Sequence, residues 1–251
     1  MTRHAKVLAT RIAIILALLV IWEITARFFV DPTFISPPSV VVMSYGHLLG
    51  RSGVVQALWS LLIELSAAFC MAVVIGTVIA LAIASSDFSR RSFTPIVLLL
   101  YATPQITILP IIILLTGVGP ASKIVFGTTH GMFPVILTVL ASLRSLKPVL
   151  RMTAHSMGAS RWQFFRYVTL PHMLPSFFTA MRLSMVATLL GVLLAELYAS
   201  SNGVGFYTRQ FTDSFDPTSL FGLISIIALM AIIINELLRR AELRASAWRR
   251  R

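Results

Sequence analysis

Cysteine, acidic residues and charge of any sign are scarce in this chain. A single cysteine, Cys70, occurs in 251 residues, inside an apolar run. An intrachain disulfide and a cysteine-based metal centre are therefore excluded, and the surroundings predict that Cys70 is a small buried hydrophobe. Charged residues make up 12% of the chain, about half the roughly 25% of a typical soluble domain. Asp and Glu number 9 against 21 Lys and Arg, for a net charge of +12. The basic residues gather between apolar runs rather than on one face, which argues against nucleic acid as a partner. No G-x-x-x-x-G-K-[ST] phosphate loop is present, so ATP hydrolysis by this chain is not expected. The polar residues are scattered, with no Ser-His-Asp or Cys-His set for an intramembrane enzyme. His130 has no His, Asp or Glu three or four residues away and makes a poor metal ligand; beside Gly127 and Gly131 it reads as a hydrogen bond between packed helices. No metal site and no bound cofactor are expected.

What the chain has in quantity is apolar length. Hydrophobic residues make up 57%, and most lie in runs near the 20 residues or so that a helix needs to cross a bilayer. Six segments qualify, roughly Ile12–Val30, Leu58–Ala84, Phe93–Thr116, Ser122–Leu143, Ala180–Leu197 and Thr218–Leu238. Helices are required, because lipid offers no partner to a free backbone N–H or C=O. The first run follows Arg3, Lys6 and Arg11, as in a signal peptide. It continues to Val30 past the poor cleavage site Glu23–Arg27, and so reads as an uncleaved span. The Ser36–Ser39 stretch reads as a rigid extended connector, and Asp213–Pro217 as a polar outer loop.

Lys and Arg set the orientation. Arg3, Lys6, Arg11, Arg90, Arg91, Arg144, Lys147, Arg151, Arg161, Arg166 and the tail residues Arg239, Arg240, Arg244, Arg249, Arg250 and Arg251 fall on one side of a six-span layout. Arg27, Arg51, Lys123 and Arg209 fall on the other. This bias predicts cytoplasmic N- and C-termini. The fold expected is an all-α polytopic membrane protein with six transmembrane helices. It divides into a first part, 1–57, a membrane core, 58–243, and a basic tail, 244–251.

The longest cytoplasmic connection, 144–175, carries the most local information. Pro148 suits a first helical turn, where its missing N–H costs nothing. Leu150, Ala154 and Met157 follow at helical spacing. Gly158 stops that helix, since glycine takes the left-handed cap most readily. Ser160 and Gln163 form a capping box for a second helix with an apolar face of Trp162, Phe165 and Val168. Leu170-Pro171 is expected to end it. A helix, corner and helix with apolar knobs and basic flanks suits a groove on a cytoplasmic partner; it also suits an amphipathic connector resting on lipid headgroups.

These residues resemble a known motif. Met152-Thr153-Ala154-His155-Ser156-Met157-Gly158, nine residues, then Val168-Thr169-Leu170-Pro171 is similar to the EAA motif of permeases in binding-protein-dependent ABC importers. That pattern is E-A-A, three residues, G, nine residues, I, one residue, L-P. Met152 and Thr153 depart from it, and Val168 replaces Ile. The likeness runs from about Ile35 to Leu243 and is greatest to the nitrate/sulfonate/taurine branch. Pro37-Pro38-Ser39-Val40, Thr103-Pro104 through Leu109-Pro110, Gly117-Val118-Gly119, and Ala195-Glu196 followed by Gly203-Val204-Gly205-Phe206 carry it. The resemblance implies two cytoplasmic ABC ATPase subunits, which hold ATP and Mg, seated on the loop that includes Ala159. It implies a second permease copy in a homodimer, a periplasmic or lipid-anchored solute-binding protein, and a bacterial inner-membrane location. It implies import of a small anion or zwitterion by alternating access, with a vitamin or pyrimidine precursor as the alternative cargo. A passive channel is the reading from another class, and a cytoplasmic docking loop argues against it.

Ionisable groups within spans cost on the order of 3 kcal/mol each, so each needs a reason. Glu23 can pair with Arg27 along one helix, and Glu236 with Arg239 and Arg240. Glu64 sits early in the second span. Glu196 and Tyr198, beside the small residues 200–205, are candidates for the outer mouth or gate of the pathway. Thr103, Pro104 and Gln105 are candidates for lining it where a helix break frees carbonyls.

Overall fold

The computed structural model describes residues 3–245. The part of the expected basic tail beyond Ala245 lies outside the described residues. Every regular element among those residues is helical, in the order α1 (Arg3–Phe28), α2 (Pro38–Gly50), α3 (Ser52–Ala84), α4 (Asp87–Ala102), a 3₁₀ turn (Gln105–Ile108), α5 (Leu109–Thr116), α6 (Pro120–Arg144), α7 (Pro148–Ser156), α8 (Arg161–Phe164), a π turn (Phe165–Thr169), α9 (Leu170–Ala199), α10 (Val204–Asp213) and α11 (Pro217–Ala245). Five helical stretches are long and apolar enough to cross a membrane. Asp87–Ala102 and Gln105–Thr116 make a sixth only as a broken pair, bent by 85°. The third of the six expected spans is thus interrupted. Isoleucines 14, 15 and 21 are more than half exposed along α1, as befits a surface solvated by hydrocarbon.

Two compact units can be distinguished. One holds the described residues up to Trp59 together with Ser201–Leu229. In it, the Glu23 carboxylate pairs with Arg27 as expected, and also accepts the Ser39 N–H at 3.0 Å and the Ser39 hydroxyl at 2.8 Å. Ser39 lies in the first turn of α2, so a carboxylate from α1 satisfies an N–H that no intrahelical carbonyl can reach. The Ser36–Ser39 connector is correspondingly shorter than expected. Pro37 is extended, with ψ 144°, but Pro38 already starts α2, a first-turn position that suits proline. The expected outer loop at 213–217 shrinks to a turn between α10 and α11, with the Asp216 carboxylate accepting the Ser219 N–H at 3.0 Å.

The other unit holds Ser60–Ser200 and the described residues from Met230 on. Its centre is the pairing of α6 and α9, which glycine makes close. A Cβ on Gly191 would lie 2.9 Å from the Gly127 Cα and 3.0 Å from the His130 Cβ. A Cβ on Gly131 would lie 2.0 Å from the Thr188 hydroxyl and 2.9 Å from the Ala72 Cβ of α3. Small residues at such crossings bring helix backbones together where no hydrophobic drive from water operates. His130 lies at this crossing, but its Nδ1 is 3.3 Å from the Phe126 carbonyl of its own helix; the bond expected between helices is intrahelical. Cys70, expected buried, is exposed on α3, because its face of that helix is turned away from the packed partners.

The cluster of Ala80, Val97, Val135, Ile136, Val139 and Met173 fills the space between α3, α4, α6 and the start of α9. Gly191→Val should force the α6–α9 crossing apart. The expected loss is about 1–3 kcal/mol or more, read as a lower unfolding midpoint of the purified chain in detergent; an unchanged midpoint would contradict the close crossing.

Candidate functional site

The loop at 144–175 forms largely as its residues dictate. Pro148 occupies the first turn of α7. At its end Gly158 takes φ +72°. The Gly158 N–H donates to the His155 carbonyl at 2.9 Å, and the Ala159 N–H to the Ala154 carbonyl at 3.0 Å. This is the paired bonding of a Schellman stop. Ser160 then opens α8 with a complete capping box: its hydroxyl accepts the Gln163 N–H at 3.2 Å, and the Gln163 side chain accepts the Ser160 N–H at 2.7 Å.

One expectation fails. Leu170-Pro171 does not end the second helix. The π turn at Phe165–Thr169 lets the Leu170 N–H reach the Phe165 carbonyl, and the chain continues into α9, where Pro171 falls in the first turn. Widening one turn gives proline room without breaking the rod. Arg161–Tyr198 thereby forms one apolar helical stretch of 38 residues. At 1.5 Å per residue that is about 57 Å, well beyond a hydrocarbon core of about 30 Å.

The loop presents its apolar groups outward. Met152 is 62% exposed, Met157 81%, Trp162 69% and Tyr167 75%. Trp162 stacks on Phe165 with ring centroids 5.8 Å apart. Thr153, His155 and Ser160 are exposed, whereas Ala154, Ala159, Val168, Leu170 and Pro171 are half-buried. The rear of the loop is anchored. Leu170 and Met173 pack with Val139 and Leu140, and His172 Nε2 lies 3.2 Å from both the Ser142 carbonyl and the Ser145 hydroxyl.

The break expected around Pro104 is the 85° bend. Thr103 is extended, with ψ 135°, as the residue before proline prefers. Its hydroxyl donates back to the Leu99 carbonyl at 3.0 Å, and the Thr107 hydroxyl takes the Pro104 carbonyl at 2.7 Å. Gln105 Oε1 is buried and has no hydrogen-bond partner.

Sequence reasoning missed the polar centre of this unit. Lys123, from the first turn of α6, is 2% exposed. Its Nζ donates to Glu64 Oε1 of α3 at 3.1 Å and to Glu196 Oε1 of α9 at 3.0 Å. Glu196 is fully buried, and Glu64 Oε2 is buried with no hydrogen-bond partner. One ammonium thus ties three helices together. Its place at a helix N-terminus is electrostatically unfavourable, and two carboxylates offset that. Tyr198, by contrast, is exposed, so Glu196 and Tyr198 do not share a surface. The available signal was the presence of one lysine and two acids inside apolar segments, where such groups must find one another. Their separations of 59 and 73 residues gave no local clue. Among the described residues no group of His, Cys, Asp or Glu could hold a metal ion.

Residues 72–242 match the family described as binding-protein-dependent transport system inner membrane component. The chain belongs to this family. It is a multi-pass permease subunit of an ABC importer in the bacterial inner membrane. It is 28% identical over 232 residues to the taurine transport system permease protein TauC of Escherichia coli K12, covering 90% of this chain and 84% of that one. It is 26% identical over 236 residues to the formylaminopyrimidine transport permease protein ThiX of Halalkalibacterium halodurans, covering 94% of both. It is 24% identical over 243 residues to the nitrate import permease protein NrtB of Synechocystis, covering 94% of this chain and 86% of that one. Its fold is similar to that of the MetNI methionine ABC transporter in an inward-facing conformation, with a TM-score of 0.69 at 19% identity over 77% of this chain and 96% of that one. It is also similar to a bacterial ABC transporter that imports alginate, at 0.65 and 14% over 96% and 94%.

Removing Lys123 would leave two buried carboxylates facing each other. Lys123→Met should therefore cost about 3–5 kcal/mol. Glu64→Gln leaves one positive and one negative charge and should cost distinctly less. Thermal unfolding of the two purified variants checks this order, and equal losses would contradict it.

Proposed function

We propose that two copies of this permease pair in the membrane and that two cytoplasmic ATPase subunits, holding ATP and Mg, seat on the loop of residues 144–175. The observation that carries this reading is the loop itself: Met152, Met157, Trp162 and Tyr167 project outward from a rigid, capped corner. Full burial of such side chains stabilises a contact by roughly 1.5–3 kcal/mol each. Met152 stands where the motif has an acid, so the contact relies on apolar packing and shape rather than on a salt bridge there. The position of Lys and Arg along the sequence supports placing this loop and both termini in the cytoplasm.

Motion of the ATPase pair reaches the membrane through the 38-residue stretch from Arg161 to Tyr198, which joins the docking corner to Glu196 as one continuous helical run. The bend at Thr103–Gln105, with its interrupted hydrogen bonding, is the best candidate for the pathway lining. Glu196 takes part in gating through its bond to Lys123 rather than as an exposed group at the outer mouth. The cargo is a small anion or zwitterion of the sulfonate, taurine or nitrate class, delivered by a periplasmic or lipid-anchored binding protein. Similarity to permeases for taurine and nitrate supports that class, and the similar formylaminopyrimidine permease marks a pyrimidine precursor as the alternative.

The test is reconstitution of the permease with its ATPase in lipid vesicles. Loaded binding protein should raise ATP hydrolysis and drive uptake of taurine or nitrate. Flat hydrolysis, or flux without ATP, would count against the reading. Gly158→Val forces a branched residue into φ +72°, which costs about 1–2 kcal/mol locally. It should uncouple uptake from hydrolysis by about tenfold or more while leaving the membrane fold intact; unchanged coupling would remove the corner from the mechanism.

A further inference from the structure

The second unit contains a cleft of about 660 Å³ between α4 and α6. Its lining combines the basic Arg90, Arg91 and Arg144 with Thr94 and the apolar Leu98, Leu137 and Leu140. Arg90 is already paired with Asp87 at 2.6 Å. Arg91 and Arg144 have no acidic partner among the described residues. The Thr94 hydroxyl is buried in this lining with no hydrogen-bond partner. Pro95 has no N–H to return to the carbonyl four residues before it, at Arg91.

The apolar part of the cleft is laid out along the same two helices. Leu98 follows Arg91 by seven residues, and Leu137 precedes Arg144 by seven. Seven helical residues span about 10 Å. Each helix therefore sets a guanidinium at its end and a leucine about 10 Å deeper. A free inorganic anion would use the first level and gain nothing from the second. An amphiphile with an anionic head and acyl chains uses both.

We propose that this cleft binds the headgroup of an anionic phospholipid. Arg91 and Arg144 clasp the phosphate, the Thr94 hydroxyl donates to one of its oxygens, and an acyl chain lies against Leu98, Leu137 and Leu140. Charge-assisted hydrogen bonds from guanidinium to phosphate are the strong class, and basic clefts between spans are suited to such headgroups. Because α4 leads into the bend at Thr103 and α6 leads into the loop at 144–175, a lipid held here links the helices that feed those two elements. The proposal does not depend on the cargo or on the ATPase partner.

The experiment is thermal unfolding of the purified full-length chain in a neutral detergent, titrated with dioleoyl phosphatidylglycerol, with dioleoyl phosphatidylcholine, or with inorganic phosphate. Phosphatidylglycerol should raise the unfolding midpoint, and the other two should not. In R91Q/R144Q, half-saturation should require at least about tenfold more phosphatidylglycerol. Thr94→Val keeps every charge, guards against a double variant that fails to fold, and should weaken the effect roughly threefold. Arg11→Gln, on α1, should leave it unchanged. The proposal is overturned if inorganic phosphate stabilises equally, if Thr94→Val and R91Q/R144Q respond like the parent, or if Arg11→Gln loses as much as the double variant.

Discussion

The rest of the second unit depends on how closely α6 and α9 approach. Gly127, Gly131 and Gly191 remove the side chains that would hold the two backbones apart. That approach brings the first turn of α6 within reach of the far end of α9, so that Lys123 meets Glu196. It also places the opposite ends of the same helices together, where His172 bonds the Ser142 carbonyl and Met173 packs on Val139 and Leu140. A polar tie at one end and an apolar anchor at the other hold α9 along its length. The Gly158 corner, a few residues before α9, leads directly into that anchored helix.

Proline shows how little the residue type alone decides. Pro104 ends a helix with an 85° bend, and Pro171 lies within a rod that continues unbroken. The difference is in what precedes each. Thr103 is extended, with ψ 135°, and its hydroxyl adds a second bond to the Leu99 carbonyl, which already accepts the Thr103 N–H at 3.1 Å. Leu170 stays helical, with ψ −49°, because the π turn before it has already widened the backbone. In lipid every freed backbone group must find a partner inside the protein. An extended residue before proline at one site and a wider turn at the other have opposite mechanical results: a joint and a shaft.

Local chemistry was legible in the sequence and long-range chemistry was not. Pro148, Gly158 and the Ser160–Gln163 pair each act within a few residues, and each forms as their spacing dictates. The Glu23–Arg27 and Glu236–Arg239 pairs were legible for the same reason. Apolar run length found the spans, and Pro104 marked the break inside the third, though not its 85° angle. The second function of Glu23, as a cap for α2, required knowing that α2 exists, and its residues 38–50 carry no strong helical signal. The outward position of Cys70 depends on which face of α3 is packed, which apolar content cannot reveal. The Lys123 network joins residues on three different helices, and only the fold brings them together.

That network also has a history within each molecule. The chain is made from its N-terminus at about 5–20 residues per second. Glu64 therefore exists for roughly 3–12 s before Lys123, 59 residues later, leaves the ribosome. During that interval α3 carries an acid for which its intended counter-charge has not been synthesised. Glu196 arrives later still, 73 residues after Lys123. The charge balance of α3 is thus completed only with α6 and α9. A truncated or stalled chain carries an acid on α3 without the ammonium that pairs with it in the finished chain.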